Sequence, residues 1–136
     1  MATRLALVMC TLAALARAKT EMDPEMAELA AMLRENCGDE TGVDLALLDQ
    51  VNAGAKLMDD AKLKCYMKCV METAGMFGEG AVDVEAVVAM LPEDFRSRNE
   101  AMLRACGSRP GADDCDVAWQ TQRCWQDGNP EDYFII

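Results

Sequence analysis

AKLKCYMKCVMETAG, residues 61–75, carries two cysteines inside a run with helical periodicity. Leu63, Met67, Val70, Met71 and Ala74 recur at the spacing that lays apolar side chains along one face of an α-helix. Cys65 and Cys69 stand one turn apart on it. Because side chains at i and i+4 project in the same direction, this helix can be tied covalently to two other elements along one edge. It opens at Asp59 or Asp60 and ends at Gly75.

Working outward, start and stop signals divide the remainder into five more short helical segments, with no strand-like alternation of any length. The first opens at Asp23-Pro24-Glu25, an N-cap acid followed by proline at the first helical position, and is expected to stop near Gly38. Met26, Leu29, Ala30 and Leu33 form one stripe along it. Thr41 and Asp44 are spaced as a capping box for a second helix, with Leu45, Leu48 and Val51 on one face before Gly54. After the helix that begins the argument comes a glycine-rich turn, Gly75 to Gly80, read as a helix–helix connection. Asp83 starts a fourth helix carrying Val84, Val87, Val88 and Leu91, and Pro92 ends it. The fifth spans about Glu93 to Cys106, and the sixth Asp114 to about Gln126. The fold class is therefore all-α. The tail, Glu131 to Ile136, ends in Tyr133-Phe134-Ile135-Ile136, four large apolar residues that are expected to dock against the body.

Residues 1–18 read as a secretory signal peptide: Arg4 gives a basic start, Leu5 to Ala16 is almost wholly apolar, and Ala16-Arg17-Ala18 has the small-x-small pattern of a cleavage site. The apolar run is too short for the roughly 20 residues that span a bilayer. The mature domain is expected to cover residues 19–136, secreted and extracellular. Cleavage removes two arginines and no acid, which moves the formal charge from −11 to −13. Such a surface repels phosphate backbones, so nucleic acid is excluded as a partner. Cys10 leaves with the leader, and the six remaining cysteines in an oxidising compartment imply three disulfides. Six cysteines allow fifteen pairings, and spacing alone chooses none of them.

The chain has no histidine. The commonest general base is missing, and with it the serine and cysteine triads. The adjacent acids Asp113-Asp114 and Asp39-Glu40 are read as helix caps and solvated charge. The Gly75, Gly78 and Gly80 turn follows a helix and not a strand, so it is no phosphate cradle. Gly38 to Asp44 lacks the alternating ligands of a calcium loop. No enzyme activity, metal or cofactor is expected.

Counted in intervening residues, Cys37, Cys65, Cys69, Cys106, Cys115 and Cys124 are separated by 27, 3, 36, 8 and 8. This series, with the leader and six helices, resembles the six-cysteine insect odorant-binding proteins, and the resemblance covers the whole mature chain. It implies three bridges, Cys37–Cys69, Cys65–Cys115 and Cys106–Cys124, and six helices around a hydrophobic cavity. It further implies that Met67, Met71, Ala74 and Met76 line the cavity from the third helix and its end. Val82, Val88 and Leu91 are expected from the fourth-helix region, Leu103 from the fifth, Trp125 from just after the last cysteine, and Phe134 and Ile135 from the tail. In some relatives the positions of Met67, Met71 and Met76 bear hydroxyls that bind small alcohols. Three thioethers here favour longer and more apolar ligands. Tyr66 and Tyr133 are the hydroxyls expected to orient a ligand.

The implied function is an extracellular carrier that holds an apolar odorant or pheromone and takes it through aqueous lymph to a membrane odorant receptor, as a monomer or weak homodimer. The alternative is a secreted helical interaction protein with a solid interior. No side chain here ordinarily titrates between pH 5 and 8, so a C-terminal lid of Tyr133 to Ile136 is expected to release ligand when a carboxylate, that of Ile136 anchored near a tyrosine or arginine, is protonated.

Overall fold

The computed structural model describes residues 23–136, so the expected signal peptide and the start at Lys19 lie outside the described residues. Six helices follow in order: α1 (Pro24–Thr41), α2 (Leu45–Asn52), α3 (Ala61–Thr73), α4 (Val84–Met90), α5 (Glu93–Cys106) and α6 (Asp114–Gly128). Aspartate side chains cap five of them: Asp23, Asp44, Asp60, Asp83 and Asp113 each accept a first-turn backbone N–H. Five of the 24 acidic side chains thus satisfy donors that a helix leaves unpaired at its start. The exception, α5, begins after Pro92 with Glu93 and Asp94 in its first turn.

Local readings differ from the structure at several points, each for a physical reason. The first helix runs three residues past Gly38, because the left-handed turn that ends it is taken by Gly42 at φ +66°. Gly38 stays helical, and a Cβ there would lie 3.3 Å from Leu45 Cδ2. Thr41 does not cap α2: its hydroxyl donates back to the Cys37 carbonyl at 2.6 Å, and Asp44 alone makes the cap. Leu45, expected on the buried face of α2, is 41% exposed. The glycine-rich connection folds into a minimal hairpin, β1 (Phe77–Gly78) and β2 (Ala81–Val82), paired antiparallel with Phe77 opposite Val82. Glu79 and Gly80 both take positive φ, as a two-residue hairpin turn requires.

Helix α3 lies at the centre, packed chiefly against α6 and α1, with Leu63, Tyr66, Met67, Val70 and Met71 buried. The bridges are Cys37–Cys69, Cys65–Cys115 and Cys106–Cys124, the pairing that the resemblance implies. They tie α3 to α1 and α6, and α5 to α6. Polar side chains of α6 hold the segment between α2 and α3: Trp119 Nε1 donates to the Met58 carbonyl, and the Gln126 carboxamide bonds Leu57 N and the Ala55 carbonyl. Near the end of α6, a Cβ on Gly128 would come within 2.5 Å of Met102 Cγ, so glycine there permits the close approach of α5.

Candidate ligand-binding cavity

The helices do not close completely on one another. A cavity of about 190 Å³ remains between α1, α3, α4, α5, α6 and the tail. From α3 it is lined by Tyr66, Met67, Val70 and Met71, with Ala74 and Met76 just beyond the helix end. Leu91 follows α4, Leu103 comes from α5, Trp125 from α6, and Phe134 and Ile135 from the tail. Met26 and Met90 also line it while remaining more than a third exposed, which places them at its rim.

Two expected wall residues are not on the wall, and both expectations are corrected. Val87, Met90 and Leu91 lie on one face of the α4 region and meet the cavity. Val88 is turned about 100° from Val87 around the helix axis and is buried in the surrounding core instead. Val82 pairs with Phe77 in the hairpin and packs toward α6, its N–H donating to Ser108 Oγ at 2.9 Å.

The tail closes one side, held at both ends. At its start, Asp132 Oδ2 accepts from Asn99 Nδ2 at 2.8 Å, Arg98 Nε at 3.1 Å and Asn129 Nδ2 at 3.1 Å. The Asn99 bond first, then Arg98 and Asn129, holds the Asp132 carboxyl below its usual value although partial burial works the other way. Phe134 meets Phe95 edge to face at 6.0 Å. At the far end, the Asn52 carboxamide bonds both backbone groups of Ile135, at 2.8 and 2.9 Å, and the Tyr66 hydroxyl donates to the Ile136 main-chain oxygen. The Tyr133 hydroxyl donates to Gln122 Oε1 at 2.7 Å. Burial pushes the Tyr66 hydroxyl up to about 12, with the Arg34 charge opposing, and burial raises that of Tyr133 as well. Both hydroxyls therefore remain protonated donors at neutral pH. Their protons fasten the tail, so these two tyrosines, which both line the cavity, act as bolts of the lid.

A family model described as the PBP/GOBP family matches residues 19–128. The chain belongs to the PBP/GOBP family. Among curated relatives, general odorant-binding protein 69a of Drosophila melanogaster is 26% identical over 106 residues, 77% of this chain and 72% of that protein. The solved odorant-binding protein 5 of Apis mellifera superposes with a TM-score of 0.74 at 25% identity, covering 86% of this chain and all of that one. A medfly odorant-binding protein gives a TM-score of 0.66 at 30% identity, covering 74% of this chain and 88% of its own.

In this PBP/GOBP chain the arrangement suits enclosure. The wall is mostly aliphatic and thioether, and its single acidic side chain, Asp132, is engaged by Arg98 and two asparagines. Cys37, Cys69 and Glu40 come together on the far side of α3, but the two sulfurs are bonded to each other and offer no thiolate to a metal. Sequence reasoning missed several wall residues. The α1 stripe of Met26, Leu29, Ala30 and Leu33 was legible as an apolar face, but nothing marked it as cavity and not core. Asn99 and Gln122 carried no signal at all, since isolated amides on amphipathic helices look like surface.

Proposed function

We propose that this protein is an extracellular carrier that binds apolar small molecules in its internal cavity and takes them through an aqueous fluid to membrane receptors. The observation that carries this reading is the cavity itself: an apolar space of about 190 Å³ within a disulfide-braced helical shell, closed on one side by the tail. An apolar cavity of roughly 150 Å³ already admits benzene, so a molecule of about ten heavy atoms fits with modest rearrangement. Met67, Met71, Met76 and Met102 on the wall supply that adaptability, being unbranched and polarisable. The preformed hollow also favours this reading over that of a secreted helical interaction protein with a solid interior. Membership of the PBP/GOBP family and relatives named as odorant-binding proteins point the same way.

Secretion is part of the proposal. The family match begins at residue 19, where the leader is expected to end, and among the described residues no helix is long and apolar enough to cross a membrane. The test is displacement of a fluorescent apolar probe from the delipidated, disulfide-bonded protein. Medium-length apolar volatiles are expected to displace it. Failure of the probe to enter at any concentration below its solubility limit would overturn the carrier reading.

A further inference from the structure

Among the described residues, three methionines stand more than a third exposed: Met26 at 36%, Met32 at 53% and Met90 at 37%. Met26 and Met90 also line the cavity, from the first turn of α1 and the last residue of α4, which marks its mouth between those two helix ends. Met32 lies on α1 as well but takes no part in the wall. Further in, the wall residues Met67 and Met71 are each 1% exposed. One apolar wall thus carries the same side chain in two states of access, open at the rim and shielded within.

That difference matters chemically, because a thioether is an aliphatic side chain that a peroxide turns polar. The sulfur lone pair attacks one peroxide oxygen; the S–O bond forms, the O–O bond breaks, and water leaves with the second oxygen. Sulfur is oxidised by two electrons and the peroxide is reduced. The sulfoxide keeps the length of the side chain and adds a strong hydrogen-bond acceptor, which holds water where apolar contact was. A leucine at either position would give the mouth an apolar rim without this sensitivity.

We propose that Met26 and Met90 form an oxidation-sensitive mouth, at which a peroxide converts both thioethers to sulfoxides, leaves Met67 and Met71 reduced, and weakens the hold on an apolar ligand. This rests on the carrier reading and adds a modification to its site. A ligand whose outer end lies at the rim exchanges apolar contact for a hydrated dipole. The fold tolerates the change, since both side chains already meet solvent.

The test treats the native, disulfide-bonded protein with hydrogen peroxide. Sulfoxides are located by peptide mass spectrometry, and binding of α-naphthylamine, a small aromatic that brightens in apolar surroundings, is read by fluorescence. Met26, Met90 and Met32 are expected to oxidise well before Met67 and Met71, with helicity retained and the Kd of the probe raised at least about threefold. The double variant Met26→Leu with Met90→Leu, compared with itself before and after treatment, is expected to show no such rise, whereas Met32→Leu should show the native one. Probe bound beforehand should slow oxidation of Met26 and Met90 and not of Met32, a difference that exposure alone does not produce. Unchanged affinity once Met26 and Met90 are fully oxidised, an equal rise in the double variant, or oxidation of Met67 and Met71 as fast as the rim would overturn the proposal and leave the carrier reading standing. A probe that fails to enter the untreated native protein would overturn both.

Discussion

Met71 is 1% exposed and stands on the cavity wall, whereas Val88, next in the chain to the wall residue Val87, is buried in the core beside it. The two residues are hard to distinguish by hydropathy, and they predict opposite phenotypes. Met71→Asp puts an unpaired charge into an apolar space, which costs several kcal/mol or draws water in. We expect a variant that keeps its helicity but loses probe affinity at least about tenfold; unchanged affinity in the folded variant would remove Met71 from the binding surface. Val88→Ala should instead lower stability by about 2 kcal/mol through the lost burial and the gap it leaves, with probe affinity nearly unchanged. Denaturant melts beside displacement curves read both effects.

At the scale of an element, the tail is a strap with a polar fastening at each end and apolar residues between. Tyr133 and Ile135 are buried and together contribute on the order of 3–6 kcal/mol if their side chains are fully withdrawn from water. Removing Asn129 to Ile136 is expected to leave six helices and three bridges in place while speeding probe release, read as an off-rate; equal off-rates for whole and truncated protein would show that the strap is no lid. The same element carries the pH dependence. Asp132 has a depressed pKa in the folded protein, so its contribution is fully present above the ordinary carboxylate value and fades only as pH falls through the depressed one. Retention should accordingly be flat from neutral pH to about 5 and weaken only well below about 4. Asp132→Asn is expected to speed release at neutral pH and to flatten the acid dependence, and an acid response surviving in that variant would locate the titrating group elsewhere.

For the whole molecule, the three bridges compensate for the hollow. By the chain-entropy argument each closes a loop worth roughly 3–4 kcal/mol, so together they rival the net stability of a small domain. A cavity sacrifices packing at about 24 cal/mol per Å³ in mutational series, a loss of several kcal/mol for a space of this size. Reduction of all three bridges should therefore lower the melting temperature by roughly 20 °C or more, and no titratable thiol should be found in the native mature protein. An unchanged melt after reduction, or a free thiol, would contradict this. The acidic side chains that have a structural role cap helices, hold the tail through Asp132, tie Lys64 through Asp116, or form surface pairs such as Arg34–Asp49 and Lys68–Glu72, which contribute little each.

The helices were legible from the chain because their causes are local. Asp23, Asp60, Asp83 and Asp113 precede apolar runs of helical period, Pro92 interrupts one, and two cysteines a turn apart mark α3 as the element to be cross-linked. The pairing of the cysteines came only with the family likeness, since spacing permits every combination. The tertiary structure decided whatever depends on how a helix is rotated against distant partners. That rotation turned Val87 to the cavity and Val88 away from it, and brought Asn52 and Tyr66 to a tail some 70 to 83 residues further along the chain. A periodic pattern defines an apolar face only to within a residue or so, while a cavity wall is set by contacts between segments that share no local sequence; the first is written in the chain, and the second exists only once it has folded.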